Sequence, residues 1–379
     1  MDGLGQGLSG GLRGRDAYGA DFQEPSGYLN FAAYGPPSGR VVEAITATAR
    51  AAALGEPAAN LHAQDERALA AVSRLTGFAR EGCLLATSTS AGLQQVAFGL
   101  GGEVLLGRDE FPSNLYPWWR AQEAGRMRVR TVEREVADVP RWMTPATIAA
   151  ALTPATTAVA ISAVDFRTGY RADLAGIREV IGDRLLIVDG IQGFGAVDQD
   201  WTAADALVVG GQKWLRAGWG TGFLTLSPRA LDRIRPTLGS WTGVEEPTHY
   251  DGEPHAVRQG AHQLSVTNLS PFTSAALWNA LELLESVDVA GLIEQKVGAL
   301  LDRLDASGVE ILSPREPAWR AGIVVVRTGG PSAVVRDRLA ARGITVTAHE
   351  PDRIRISIHA TTDLTGDGIE GLNDVLKQV

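Results

Sequence analysis

Seven short apolar runs begin near residues 83, 103, 128, 157, 185, 205 and 221, most of them separated by stretches with helical spacing. None is long enough to read as a helix, and most are apolar at consecutive positions rather than at alternate ones. That is the pattern of strands buried on both faces. It predicts an α/β chain with an open, mainly parallel seven-stranded sheet and a ligand crevice at the carboxyl ends of the strands. Two runs carry polar residues there. Leu185-Leu186-Ile187-Val188 ends in Asp189, and Asp205-Ala206-Leu207-Val208-Val209 passes through Gly210, Gly211 and Gln212 into Lys213.

A lysine delivered by a buried strand loses solvation, so its amine tends towards the neutral, nucleophilic form used in Schiff-base chemistry. An acid at the end of a neighbouring strand can hold a proton on a heterocyclic nitrogen. Pyridoxal 5'-phosphate (PLP) needs both groups, one for its aldehyde and one for its pyridine nitrogen. Taken singly, Asp189 reads as a helix cap and Lys213 as a surface loop residue. Together they point to PLP.

This pair resembles the class V aminotransferase family of fold-type I PLP enzymes, with similarity running from about residue 27 to the C-terminus. The resemblance implies a large PLP-binding domain and a small α+β C-terminal domain. The boundaries expected are an arm or disordered lead-in over 1–26, the large domain over 27–264 and the small one over 265–379, with packing of the N-terminal residues on the small domain as the alternative for the arm. It implies the other site residues as well. Thr89, Ser90 and the Ala91 N–H would hold the phosphate, although Ser90 could equally be a simple helix cap. Phe111 stands where the family stacks a ring on the pyridine, and unlike the histidine of cysteine desulfurases it carries no proton. Gln192 matches the glutamine that reaches the phenolic oxygen; Phe166 stands at a second such position. Gln212 replaces the family's histidine before the lysine. Thr267 matches, in loose register, a threonine that reaches the neighbouring subunit's phosphate. Arg355 matches the arginine that clamps the substrate carboxylate, with a surface salt bridge as the alternative, and Tyr34 lies on the substrate side.

Composition narrows the function. A net charge of −9 argues against nucleic acid or an anionic membrane as a partner. No apolar run reaches membrane-spanning length and no secretory leader is visible, so the cytoplasm is expected. The one cysteine, Cys83, excludes an internal disulfide and reads as a buried hydrophobe; the six histidines show no metal-ligand spacing. With no cysteine after Cys83, persulfide chemistry on a mobile C-terminal loop is excluded. Gly218-Trp219-Gly220-Thr221-Gly222 lacks the spacing of a dinucleotide fingerprint. The sequence leads to a PLP enzyme acting at Cα of a small amino acid, leaning to β-elimination, with transamination or epimerisation as alternatives. A homodimer is implied by the resemblance. A PLP-fold sensor or scaffold is the non-enzyme reading, and retention of Lys213 with Asp189 argues against it.

Overall fold

The computed structural model describes residues 17–133, 141–365 and 367–377. All seven expected strands are present: β1 (Cys83–Leu85), β2 (Glu103–Gly107), β3 (Arg128–Val132), β4 (Thr156–Ser162), β5 (Leu185–Asp189), β6 (Ala206–Gly210) and β7 (Gly222–Leu226). They form one sheet in the order β1-β7-β6-β5-β4-β2-β3, parallel from β6 to β3, with β7 antiparallel to both of its neighbours. Side chains alternate between the faces, and both faces are covered. Leu105, Val159, Ile161, Leu186, Val188, Leu207 and Val209 enter one core. Val104, Leu106, Ala158, Ala160, Leu185, Ile187 and Val208 enter the other. Two buried faces leave no polar position along the strand, which is why the runs are continuously apolar. Truncating a fully buried side chain such as Leu186 to alanine costs about 2–5 kcal/mol.

A second, antiparallel sheet follows, with β8 (Ile323–Arg327), β9 (Thr347–His349) and β10 (Arg353–Ser357) in the order β8-β10-β9. Val324, Val326, Ile354 and Ile356 form its buried apolar face, packed with Val297, with Val335 and Leu339 of the helix Ser332–Ala340, and with Ile369 and Leu372. The sequence places a strand at 344–347, whereas β9 begins at Thr347. Thr345 instead bonds to the segment after the N-terminal arm: its N–H donates to Gly27 O at 2.9 Å and its carbonyl accepts the Leu29 N–H at 3.0 Å.

Two features differ from the expected division. Residues 17–26 do not read as a loose lead-in, because Tyr18 is buried and Glu24 pairs with Arg216; residues 1–16 lie outside the described ones. The helix Pro271–Glu285 buries Ala276, Leu277, Ala280 and Leu281 in a core of the large sheet.

Candidate active site

Lys213 follows β6 and Asp189 ends β5, on adjacent parallel strands whose carboxyl ends open on the same side. Asp189 is 1% exposed; its Oδ1 accepts the Ile191 N–H at 3.0 Å, and its Oδ2 has no hydrogen-bond partner. Burial raises this carboxyl to about 6, against the opposing pull of the Ile191 bond and Lys213. Lys213 is 8% exposed, and burial lowers its amine to about 8; Asp189 opposes that shift and Arg355 adds to it. The pair is therefore held near neutrality with unspent bonding capacity.

Glycines allow the crowding around it. A Cβ on Gly35 would lie 2.0 Å from the Lys213 carbonyl, so only glycine lets the loop after Tyr34 close on the lysine loop, where its N–H donates to Gln212 O at 2.9 Å. A Cβ on Gly210 would lie 2.7 Å from Gln212 Oε1 and 2.9 Å from Thr89 Oγ1. Those two side chains thus converge on one small cradle, at the N-terminus of the helix Thr89–Gly99, and Thr89 Oγ1 is buried with no partner.

Other expected residues sit differently. The cap of this helix is Ser88, not Ser90: Ser88 Oγ accepts the Ala91 N–H at 3.1 Å. That bond occupies the N–H expected to meet a phosphate. Ser90 is exposed and donates to Ser113 Oγ at 2.9 Å, which leaves Thr89 and Gln212 as the cradle's side chains. Gln192 is tied at both ends of its amide. Its Nε2 donates to Ala32 O at 2.9 Å, and its Oε1 accepts the Trp214 indole N–H at 2.8 Å, so it braces the wall under Lys213.

Phe111 lies beside the lysine, with Lys213 Nζ 5.2 Å from its ring centroid, and Phe166 meets it edge-to-face at 5.0 Å. Arg355 is 5% exposed; its Nη1 donates to Phe166 O at 3.0 Å, its Nη2 to Thr347 Oγ1 at 3.3 Å, and its Nε has no partner. Both acceptors are neutral. Burial lowers this guanidinium to about 10, with Asp165 opposing. The surface salt-bridge alternative fails because Arg355 is buried; Arg353, on the same face of β10, is the more exposed of the two. Tyr34 stacks on the exposed Trp219 at 5.7 Å, at the rim. Thr267 is exposed and lines a cavity of about 720 Å³ whose wall also includes Thr87 and Ala91.

A buried acid, a buried neutral-leaning lysine, a hydroxyl-lined helix end and an aromatic ring beside the amine now stand in one crevice. The model of the class-V aminotransferases matches residues 44–350. The chain belongs to that family. Isopenicillin N epimerase of Streptomyces clavuligerus is 29% identical over 77% of this chain and 78% of its own length. A probable cysteine desulfurase of Aeropyrum pernix is 30% identical over 44% of this chain and 43% of its own. Among solved structures, C-DES with glycine covalently linked to its PLP cofactor gives a TM-score of 0.82 at 22% identity, over 93% of this chain and 96% of that one. The cysteine desulfurase of Thermococcus onnurineus gives 0.80 at 18% identity, over 93% and 94%. These likenesses fix the fold as that of the fold-type I PLP enzymes.

The residues fit PLP on their own chemistry. Asp189 Oδ2 and Thr89 Oγ1 are buried polar atoms without partners, one suited to a ring N–H and the other to a phosphate oxygen. Sequence reasoning missed two further residues. Arg216 follows Lys213 by three positions in a left-handed conformation (φ 58°) and ties the lysine loop to Glu24, Pro36 and Thr361. Glu110 lies buried beside Phe111. Among the described residues no helix is long and apolar enough to cross a membrane.

Proposed function

We propose that this enzyme removes the Cα proton of a small amino acid and expels a sulfur substituent from Cβ as the thiol, a C–S lyase reaction in which water then hydrolyses the released enamine to pyruvate and ammonia. When bound, PLP supplies an electrophilic aldehyde carbon and a ring that accepts the electrons left at Cα. Asp189 Oδ2 would hold the proton on the ring nitrogen, Thr89 and Gln212 the phosphate, and Phe111 one ring face. Lys213 Nζ, lowered to about 8, is a nucleophile near neutral pH and, once free, the base at Cα. Arg355 offers its fork to the substrate carboxylate, which fixes the Cα–H bond towards Lys213.

The observation that carries this reading is the contact of Lys213 with Phe111. A phenyl ring cannot carry a proton, so the exchange is given to one amine on one face. Elimination and transamination each need no more than that, whereas epimerisation needs a donor on each side; expulsion of sulfur rests on the likeness to a cystine C-S lyase. Cys83, buried at the start of β1, supports a mechanism without a protein persulfide. Epimerisation stands as the second reading because the isopenicillin N epimerase likeness spans most of both chains. We further infer a homodimer in the cytoplasm, the dimer supported by exposed Trp241, Val266 and Phe272 near the cavity that Thr267 lines.

The test is to incubate the PLP-loaded protein with cysteine S-conjugates and with single-enantiomer amino acids. Equal release of thiol and pyruvate supports the proposal. Loss of optical activity without product, or conversion of the cofactor to its amine form, overturns it in favour of epimerisation or transamination.

A further inference from the structure

A carboxyl that the reaction above leaves unused lies behind Asp189. Glu110 follows β2 in the turn that carries Phe111, and it is buried. Its Oε1 accepts the Ser162 N–H at 3.0 Å, and its Oε2 accepts the Ser162 hydroxyl and Asn114 Nδ2, the latter at 3.1 Å. Ser162 is the last residue of β4 and pairs in register with Asp189, the last residue of β5. Asn114 in turn accepts the indole N–H of buried Trp118 at 3.2 Å. One carboxyl therefore joins the strand end beside Asp189 to both ends of the turn that presents Phe111.

All of Glu110's hydrogen-bond partners are neutral. Both carboxyl oxygens accept from donors, whereas a glutamine would turn its NH2 towards either the Ser162 N–H or Asn114 Nδ2, so the acid suits this bonding pattern. The carboxylate form also carries a buried charge, and that charge acts on the other charges of the site. Asp189 is the charged group in the site that Glu110 feels, and a protonated pyridine nitrogen held by Asp189 would be the cation beyond it. Two acids behind one ring proton hold it more firmly than one.

We propose that Glu110 is a positioning residue of the PLP site: it fixes the end of β4 and the Phe111 turn, and its charge reinforces Asp189 in keeping the pyridine nitrogen protonated. The proposal rests on Asp189 as the ring-nitrogen partner. Burial pushes Glu110 up to about 7, its hydrogen bonds from Ser162 and Asn114 oppose this, and Asp189 adds to it. The charge is thus present above neutrality and absent below it. The other charged groups around the same pocket are Asp109, Asp165 and Arg141, with Arg167 paired to Asp109 at 2.7 Å and Lys213 beyond Asp189.

The experiment is a pH titration of the visible absorbance of the PLP-loaded wild type, Glu110→Gln and Asp189→Asn, between about pH 5 and 9. Melting temperature and PLP dissociation constant are measured on the same samples. The wild type is expected to show a step near neutrality that Glu110→Gln lacks, while PLP affinity changes less than about threefold. A wild type with no step, or a Glu110→Gln protein with the same step, overturns the proposal. A spectrum unmoved by Asp189→Asn overturns the assignment of Asp189 itself, which separates the two failures. Should Glu110→Gln not fold, Ser162→Ala and Asn114→Ala serve. Each removes a bond that favours the carboxylate, so each should raise the midpoint by roughly half a unit to one unit. A midpoint unmoved in both overturns the proposal.

Discussion

The two ends of the large sheet each bury an aspartate, and the two are treated in opposite ways. Asp205, at the amino end of β6, is saturated. It accepts the Leu186 N–H at 2.8 Å, Arg178 at 2.6 Å, Ser227 Oγ at 2.9 Å, and Arg229 Nη2 and Nε at 2.8 and 3.1 Å. Asp189, at the carboxyl end of β5, accepts one bond and leaves an oxygen with none. Within the site end itself two buried arginines differ in the same respect. Arg216 meets Glu24, Pro36 O and Thr361, and lies 3.6 Å over the Phe22 ring, whereas Arg355 has two neutral acceptors and an idle Nε. A chain that satisfies its charges so fully at one end has not failed to do so at the other. Capacity is withheld where a ligand is to supply the missing partner.

The sharpest way to break this comparison is Lys213→Ala, which should lower turnover on the order of 10³-fold or more and abolish the visible band of the loaded protein. Retention of both would show that the unsaturated end is not the site. Asp205→Ala should do the reverse, costing about 1–3 kcal/mol in urea unfolding by leaving the buried Leu186 N–H without its acceptor and Arg178 without its carboxylate, with little effect on KM in the protein that stays folded. Arg355→Met should raise the KM for the amino acid about 10²-fold while leaving the melting temperature unchanged or higher, since it removes a buried cation that lacks a carboxylate partner. A large loss of stability there would place Arg355 with Arg216.

A finer test uses the sign of the Asp189 shift. Its folded value, about 6, exceeds the unfolded one, so ionisation opposes folding. Asp189→Asn should therefore stabilise the apoprotein above about pH 6, by about 2 kcal/mol, with the gain fading as pH falls towards about 4. A gain that instead grew at low pH would refute the burial argument. The smallest effect expected is in the rate profile: kcat should rise with pH and level off above about 8, because the Lys213 amine can lose its proton only after the substrate has displaced it.

The unsaturated end was the more legible in the sequence. Lys213 and Asp189 stand where apolar runs stop, and a polar residue at such a place has few structural excuses. The inner strands were legible because burial on both faces leaves no polar interruption, whereas the edge strand β3, with Arg128 and Arg130 towards solvent, alternates. The cap of the helix Thr89–Gly99 was not: Thr87, Ser88, Thr89 and Ser90 are four hydroxyls in succession, and local chemistry does not choose among them. Glu110 reads as a solvated loop charge until β4 and β5 are set side by side. Arg216 was hidden because its partners, Glu24 and Thr361, lie near opposite ends of the chain. The Gln192 amide looked free because nothing local announces that Ala32 and Trp214 will take it.

Arg216 sets an order for biosynthesis. Glu24 emerges from the ribosome 337 residues ahead of Thr361, and both must reach the turn three residues beyond Lys213 before that turn is braced. A nascent chain can assemble its sheet while its reactive amine still sits on an unfinished turn. The aldehyde of a free cofactor would therefore meet a properly aimed lysine only once the segment around Thr361 has folded back onto Arg216, which ties acquisition of the cofactor to the docking of the small sheet.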